Sequence, residues 1–268
     1  MTLSRTRQIS PRVVWLDEIG STNTELARLL ALEPADAWPH LGVVATDNQT
    51  AGKGRLGRVW SAPAGASLAA SVLVRPGRGR SFSADGYGWL PLIAGTAMAR
   101  ALSSLVSAPA QVELKWPNDV QINGAKVCGI LTELQPDGSV IIGSGVNLSL
   151  TSDQLPTLTS TSLALVGARS TAVDDVLAEY LGELAPLLDR LAATGGDASA
   201  AGLVADVSST CNTIGRSVRV ELPSGEKLIG TALGLDDRGC LIVTTMDGES
   251  LAVAAGDVTH LRVIMNGD

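Results

Sequence analysis

The chain has few aromatic residues, few cysteines and few histidines. Aromatic residues make up 3% of its 268 residues, so the core that its 45% of hydrophobic residues can build must be aliphatic. Cys128, Cys211 and Cys240 form no CxxC pair, and with only His40 and His260 besides they lack the spacing of a zinc cluster. No apolar run approaches the roughly 20 residues that span a bilayer.

Positive charge is also scarce. The formal net charge is −7, which disfavours sequence-independent binding to nucleic acids, because that binding depends on lysine and arginine neutralising phosphates. The odd number of cysteines and the absence of a signal peptide predict a protein of the reducing cytoplasm.

The apolar pattern predicts an α+β domain followed by a small β-barrel. Strands are expected at 13–16, 41–46, 67–75, 111–116, 119–122, 126–134 and 139–147. Helices are expected from a capping box at Thr22 and Glu25, and over 89–106 and 171–191. From Gly215 onward, short strands alternate with turn residues, which is typical of a barrel. We therefore expect domains at residues 1–210 and 211–268, the first with a mixed, largely antiparallel sheet and flanking helices.

Glycines and cations alternate in the run Gly52-Lys53-Gly54-Arg55-Leu56-Gly57-Arg58, and Trp60 follows it. Glycines let a backbone approach a ligand closely, and cations supply the charge that phosphates need. The run therefore predicts a flexible loop that closes over a phosphorylated, ring-bearing ligand. A solvated basic turn is the alternative, and residues 77–80 are interpreted in that way. The run is not a P-loop, because no serine or threonine follows Lys53 to bind magnesium.

Lys115-Trp116-Pro117-Asn118-Asp119 joins two predicted strands. Because Pro117 interrupts the strand ladder, Asn118 and Asp119 should turn out of the sheet. Asn118 can donate and accept, as an adenine edge requires, and the hard oxygens of Asp119 suit magnesium. An ordinary Asn-Asp turn is the alternative interpretation.

Lys126 begins an otherwise apolar strand that continues through Cys128, Gly129 and Leu131. Strand alternation predicts that Lys126 and Cys128 share one face and that Gly129 lies on the other. Lys126 could neutralise a carboxylate and an attached phosphate, or it could be a hairpin-end lysine in water. Cys128 is predicted to be a small buried hydrophobic residue. Glycines inside the next strand, at 143–147, indicate close approach of a ligand or another backbone.

Taken together and in this order, five segments resemble the biotin protein ligases. They are Ser21-Thr22-Asn23, Gln49 through Trp60, Lys115 through Val120, Lys126 through Leu131, and Gly143 through Asn147. The resemblance covers nearly the whole chain. It implies a class II synthetase-like catalytic domain with an SH3-like barrel. It also implies formation of biotinyl-5′-AMP and pyrophosphate from biotin and ATP, with magnesium, and biotin transfer to a lysine of a biotin carboxyl carrier domain of an acyl-CoA carboxylase.

The resemblance also implies roles for individual residues. Biotin would be bound by Ser21, Thr22, Asn23, Gln49, Gly52, Lys53, Gly54, Arg55, Lys126, Gly129 and Gly143. ATP and the adenylate would be bound by Arg55, Arg58, Trp60, Asn118 and Asn147. Catalysis would depend on Lys126, Arg55 and Lys115, and Asp119 would be the magnesium ligand.

The chain departs from the family pattern at Lys53, where arginine is usual, so we expect its loop to retain the adenylate less tightly. Some family members carry an N-terminal winged-helix domain and act as repressors. Because the first predicted strand begins at Val13, we expect a monofunctional enzyme with no DNA partner. Three alternatives stay open. The first is a lipoate or octanoate ligase of the same fold. The second is a relative that binds a carrier without catalysis, and the third is a nucleotide-binding module with unrelated chemistry.

Overall fold

The computed structural model describes residues 1–77, 79–222, 224–254 and 256–260, and for Ala35 and Asp257 it describes the backbone alone. The α-helices are α1 Thr6–Ile9, α2 Thr22–Leu32, α3 Leu90–Leu105, α4 Val173–Ala193 and α5 Leu203–Thr210. The first nine strands are β1 Val13–Trp15, β2 Val43–Thr46, β3 Gly52–Lys53, β4 Val59–Trp60, β5 Ser67–Val74, β6 Val112–Lys115, β7 Asp119–Ile122, β8 Ala125–Leu134 and β9 Val140–Asn147. The last five are β10 Ser217–Glu221, β11 Lys227–Leu235, β12 Leu241–Thr244, β13 Ser250–Val253 and β14 Asp257–His260.

The larger sheet has seven strands in the order β1-β2-β5-β9-β8-β7-β6. Only the β1–β2 pair is parallel, and every other neighbouring pair in it is antiparallel. Strands β6 to β9 follow one another along the chain, and each pairs with the next as a hairpin. The predicted α+β class with a largely antiparallel sheet is therefore confirmed.

The helices cover this sheet unequally. Most residues of α3 are apolar and buried, which is the composition of a helix packed on nearly all sides, and α4 packs against it in the main core. Helix α2 packs on β2, β5 and β9, where Leu26, Trp38 and Leu73 belong to a smaller apolar cluster. Within the part of the chain described, none of the helices combines the length and apolarity that crossing a membrane requires.

Helix α2 starts at the predicted residue but with a different cap. Ser21 occupies the N-cap position in extended conformation, and its side chain makes no capping hydrogen bond. Glu25 pairs instead with Arg28, at 2.7 Å between Oε1 and Nη2. The Thr22 N–H donates to Oε1 of Gln49 at 2.9 Å. The predicted capping box at Thr22 and Glu25 is therefore wrong, because a side chain from a distant loop satisfies the helix N-terminus.

The smaller sheet is antiparallel and has five strands in the order β13-β12-β11-β10-β14. Its β11–β12 turn contacts the larger domain through two buried tryptophans. Trp89 Nε1 donates to the carbonyl of Asp237 at 2.7 Å, and Trp116 Nε1 donates to that of Gly239 at 3.2 Å. The small sheet is therefore anchored beside β6 and the turn that follows it.

Candidate active site

A cavity of about 1030 Å³ lies over one face of the larger sheet. It is lined by these predicted site residues: Ser21, Thr22, Asn23, Gln49, Lys53, Gly54, Arg55, Arg58, Trp60, Lys115, Asn118, Asp119, Lys126, Gly129, Gly143 and Asn147. Gly52 lines an adjoining cavity of about 870 Å³ instead, which shares Arg55 and Asn118 with the first. The fold thus brings residues of all five separated segments together.

A buried polar network forms one end of the cavity. Asn23 donates from Nδ2 to Oε2 of Glu133 at 2.7 Å and to the carbonyl of Leu131 at 3.4 Å. The Ser71 hydroxyl lies 2.6 Å from Oδ1 of Asn23 and 2.8 Å from Oγ1 of Thr22. The amide of Asn23, which is 4% exposed, is therefore held on three sides by protein groups.

This network accepts more hydrogen bonds than its hydroxyls can donate. Oγ1 of Thr22 lies 3.2 Å from Oε1 of Gln49 as well as 2.8 Å from the Ser71 hydroxyl. Three oxygen–oxygen contacts therefore share two hydroxyl hydrogens, because each hydroxyl supplies only one. A ligand with N–H donors would complete the set. Nε2 of Gln49 donates to none of the described residues, so its hydrogens are available for an acceptor atom of such a ligand.

A β-bulge places Lys126 in the cavity. On β7, Gln121 pairs with Lys126 and the adjacent Val120 pairs with Cys128, so β8 has one extra residue at this point. Lys126 and Gly129 both line the cavity, whereas Cys128 is fully buried in the core. The predicted alternation, with Lys126 and Cys128 on one face, is wrong because the bulge shifts the phase of the strand.

Cys128 is a buried hydrophobic residue, as predicted. Burial raises the pKa of its thiol, and this outweighs the opposite effect of the nearby Lys126. The thiol is therefore protonated at neutral pH and is a poor nucleophile.

Several cations lie near the carboxylate of Asp119 in the cavity. Lys126 Nζ lies 2.6 Å from Oδ1 of Asp119. Arg55 donates from Nη1 to Oδ1 of Asn118 at 2.8 Å, and Asn118 donates in turn to the carbonyl of Ile130 at 2.9 Å. The turn after β6 thus holds Arg55 over the sheet, and Asn118 retains one amide hydrogen for a ligand.

Lys115 and Arg55 are partly buried and therefore partly desolvated. Burial lowers the pKa of Lys115, as do Lys126 and Arg58, while Asp119 opposes the shift. Burial also lowers the pKa of the Arg55 guanidinium, again against Asp119. Charged groups that are desolvated in this way favour an anionic ligand, which restores their compensation.

The glycines of β8 and β9 let other groups approach the sheet. A Cβ on Gly145 would lie 2.5 Å from Cε2 of Trp60, and one on Gly143 would lie 2.3 Å from Oδ1 of Asn23. A Cβ on Gly129 would lie 3.3 Å from Nζ of Lys126. Side chains at these positions would therefore displace the groups that form the cavity wall. Asn147, at the end of β9, donates from Nδ2 to the carbonyl of Thr161 at 2.9 Å.

The residues present do not form a metal site of their own. Asp119 is paired with Lys126, and no group of three His, Cys, Asp or Glu side chains among the described residues could hold a metal ion. A magnesium ion held by the protein alone therefore does not fit. Magnesium commonly binds through one or two carboxylates together with substrate phosphates, and only that arrangement is compatible with Asp119.

Several residues of the site were not identified from the sequence. Ser71 is fully buried in β5 behind Thr22 and Asn23, and a polar residue inside the apolar run Ser67–Val74 could have marked it. Asn212, Arg216 and His260 line the cavity itself, from the region of the smaller sheet. Nothing local in the sequence indicates their position, because tertiary packing brings them there.

Comparison with known proteins identifies the class of protein that this fold and cavity define. Residues 15–147 match the model of the biotin/lipoate A/B protein ligase family, and residues 213–261 match that of the biotin protein ligase C-terminal domain. The biotin--[acetyl-CoA-carboxylase] ligase of Mycobacterium tuberculosis is 36% identical over 249 residues, which cover 92% of this chain and 89% of that protein. The protein of the same name from Paracoccus denitrificans is 32% identical over 241 residues, covering 88% of this chain and 95% of that protein. The chain therefore belongs to the biotin protein ligases within this family.

A solved structure agrees on the fold. The biotin protein ligase from Aquifex aeolicus in complex with biotin and ATP matches with a TM-score of 0.74 at 24% identity. The match covers 93% of this chain and 99% of that one. It extends over both sheets, and it confirms the predicted combination of an α+β unit with a small β unit.

Proposed function

We propose that this chain activates biotin with ATP to form biotinyl-5′-AMP and pyrophosphate, and then transfers biotin to a lysine of a biotin carboxyl carrier domain. The main support is the arrangement of one cavity. A buried network short of hydrogen donors lies at one end, and Lys126, Lys115 and Arg55 lie where a carboxylate and a phosphate would meet. The ureido ring of biotin carries N–H donors and a carbonyl, and the end of its side chain is a carboxylate. The names of the M. tuberculosis and P. denitrificans relatives support biotin over lipoate.

At the biotin end, we assign direct contact to Ser21, Gln49 and the surfaces of Gly129 and Gly143. Gln49 would donate from Nε2 to the ureido carbonyl, because its Oε1 is already bound to Thr22. Thr22 and Asn23 would accept the ureido N–H groups through their side-chain oxygens, and both also hold the wall in place. The side-chain amide of Asn23 already donates to two protein acceptors, which leaves it no hydrogen for a ligand.

At the reacting centre, the carboxylate oxygen of biotin attacks the α-phosphorus of ATP, and pyrophosphate leaves. Lys126 and Arg55 would stabilise the negative charge that builds up on the phosphate oxygens, and Lys115 would hold the leaving pyrophosphate. Asp119 would hold magnesium together with the ATP phosphates, and the ion would neutralise charge on the leaving pyrophosphate. Lys126 would then exchange its Asp119 partner for the biotin carboxylate.

The segment from Gly52 to Arg58 would cover the adenylate and exclude water from the mixed anhydride. Its ends are joined as a ribbon, in which Gly52 pairs with Trp60 and Lys53 pairs with Val59. Trp60 would pack beside the adenine, and Asn118 and Asn147 would contact the nucleoside. In the second step, the amine of the carrier lysine attacks the biotinyl carbonyl, and AMP leaves.

We further propose that residues 1–210 form the catalytic domain and residues 211–268 the barrel domain. Along the chain, β9 is the last strand of the larger sheet and β10 is the first strand of the smaller one. We infer a cytoplasmic location, which the three unpaired cysteines support.

The direct test has two stages. Pyrophosphate release with ATP, magnesium and biotin, but no carrier, measures adenylate formation alone. Mass spectrometry of an added carrier domain then measures transfer as a biotin-sized gain that requires ATP. Pyrophosphate release and a carrier mass gain with lipoate in place of biotin would assign the chain to lipoate chemistry. If neither biotin nor lipoate causes pyrophosphate release, the proposal is contradicted.

Ser71→Ala should weaken biotin binding by about 5- to 100-fold, because Asn23 and Thr22 lose a buried hydroxyl partner, a loss of roughly 1–3 kcal/mol. Isothermal calorimetry with biotin alone gives the affinity. The matched control is Ser10→Ala. Ser10 is also buried, its hydroxyl lies within hydrogen-bond distance of the carbonyls of Arg12 and Leu41, and it lies outside the cavity. Equal affinities for the two variants would contradict the role given to this network.

A further inference from the structure

The edge strand of the larger sheet is covered by three residues that lead into the smaller sheet. Cys211 forms a parallel bridge with Leu114 of β6, and the Asn212 N–H donates to the Leu114 carbonyl at 2.9 Å. The side-chain amide of Asn212 donates to Oε2 of Glu113 and to Oε1 of Gln121, each at 3.1 Å. The segment thus follows β6 toward the turn that carries Asn118 and Asp119.

Thr213 ends this segment with a hydroxyl that meets the first residue of the turn. The Trp116 N–H donates to Oγ1 of Thr213 at 3.1 Å, and Oγ1 also lies 3.1 Å from Nε2 of His260. Thr213 is fully buried and Trp116 is 2% exposed, so water cannot substitute for this contact. Without the hydroxyl, the Trp116 N–H would be a buried donor with no acceptor.

His260 is the second partner of the Thr213 hydroxyl. Burial, together with Lys115 and Arg216, lowers the pKa of its imidazole to about 4, so the ring is neutral at physiological pH. Nε2 of the neutral ring accepts from Oγ1 in one tautomer and donates to it in the other. In both cases an oxygen lone pair of Thr213 remains for the Trp116 N–H.

The turn held in this way forms the centre of the cavity. Asn118 receives the Arg55 guanidinium, Asp119 pairs with Lys126, and the Ile130 N–H donates to the Asn118 carbonyl at 2.9 Å. Displacing Trp116 would move these groups. The network around Asn23 is built from α2 and β5 and meets β8 at Leu131 and Glu133, whereas the turn meets β8 at Ile130.

We propose that Thr213 is a positioning residue through which the smaller sheet holds the Trp116–Asp119 turn in its ATP-binding geometry. Trp116 Nε1, bound to the carbonyl of Gly239, is the second anchor of the same turn. The proposal rests on the proposed function only for the identity of the nucleotide. It predicts that a change in the segment leading into the smaller sheet alters nucleotide binding and leaves biotin binding nearly unchanged.

Thr213→Val, which keeps the shape and removes the hydroxyl, is the test. We expect faster amide hydrogen exchange in the peptide that contains Trp116. We also expect roughly tenfold weaker binding of a non-hydrolysable ATP analogue, with biotin affinity changed by less than about twofold. Thr213→Ser should restore both readouts. Thr244→Val is the matched control, because the Thr244 hydroxyl is bonded to Ser250 on the exposed side of the same sheet.

Two results would overturn the proposal. One is exchange at Trp116 that is the same in the Val variant and the parent. The other is an equal loss of analogue and biotin binding, which would indicate general destabilisation. If the Val variant does not fold, Thr213→Ala is measured in its place. Should the parent bind no ATP analogue, the proposed function fails, and the exchange comparison still decides whether Thr213 holds the turn.

Discussion

Lys126→Ala should lower the rate of pyrophosphate release by about 10²- to 10³-fold, the effect typical of removing one preorganised charge from a reacting centre. Lys126 is the cation that the bulge in β8 turns into the cavity, beside Gly129 and 2.6 Å from Asp119. Its charge would be worth most when the phosphate develops negative charge. We therefore expect a larger effect on the rate than on biotin affinity, and single-turnover kinetics with calorimetry separates the two.

Two further variants make this result specific. Lys227→Ala removes an exposed lysine of β11 and should leave the rate unchanged. Removing Lys126 also leaves the Asp119 carboxylate without its partner, and that carboxylate could repel ATP. The double variant Lys126→Ala/Asp119→Asn tests this. Recovery of the rate in the double variant would mean that Lys126 serves only to neutralise Asp119, which contradicts the role assigned to it.

The elements that local sequence determines were predictable. The hairpin from β7 to β8 turns at Asn123 and Gly124, both of which have positive φ, and the neighbouring strands pair with it as a meander. The glycines of β9 and the cationic run could be recognised in the sequence alone. The structure brings the predicted segments together at one cavity. Their individual roles stay predictions.

What could not be predicted depends on contacts between distant segments. The extra residue in β8 gives no signal in a strand whose residues are otherwise regular, and it reversed the expected facing of Cys128. The local sequence favoured a capping box at the start of α2. Instead, the Thr22 N–H donates to the side chain of Gln49, which comes from a distant loop. The hydroxyl of Thr213 reaches Trp116 across 97 residues of sequence. In each case tertiary packing supplied a partner that periodicity does not encode.

Gly52→Ala should reduce biotin and ATP binding together by more than about 100-fold, because the new Cβ collides with the backbone of Trp60 and with the side chain of Gln49. That Cβ would lie 2.3 Å from the carbonyl oxygen of Trp60 and 2.4 Å from Nε2 of Gln49. The first contact is with backbone and cannot be relieved by a rotamer change. The β3–β4 ribbon would have to separate, which moves Trp60 and the loop, while Gln49 would lose its bond to Thr22.

The control for this collision is Gly20→Ala, at a neighbouring position where the nearest atom to a new Cβ is that of Ala51, at 3.9 Å. It should bind both ligands as the parent does. Calorimetry with biotin alone distinguishes the two consequences of Gly52→Ala, because displacement of Gln49 weakens biotin binding even without nucleotide. Loss of ATP binding with normal biotin binding would show that the ribbon moves while Gln49 stays in place, and would assign Gly52 to the nucleotide side of the cavity only.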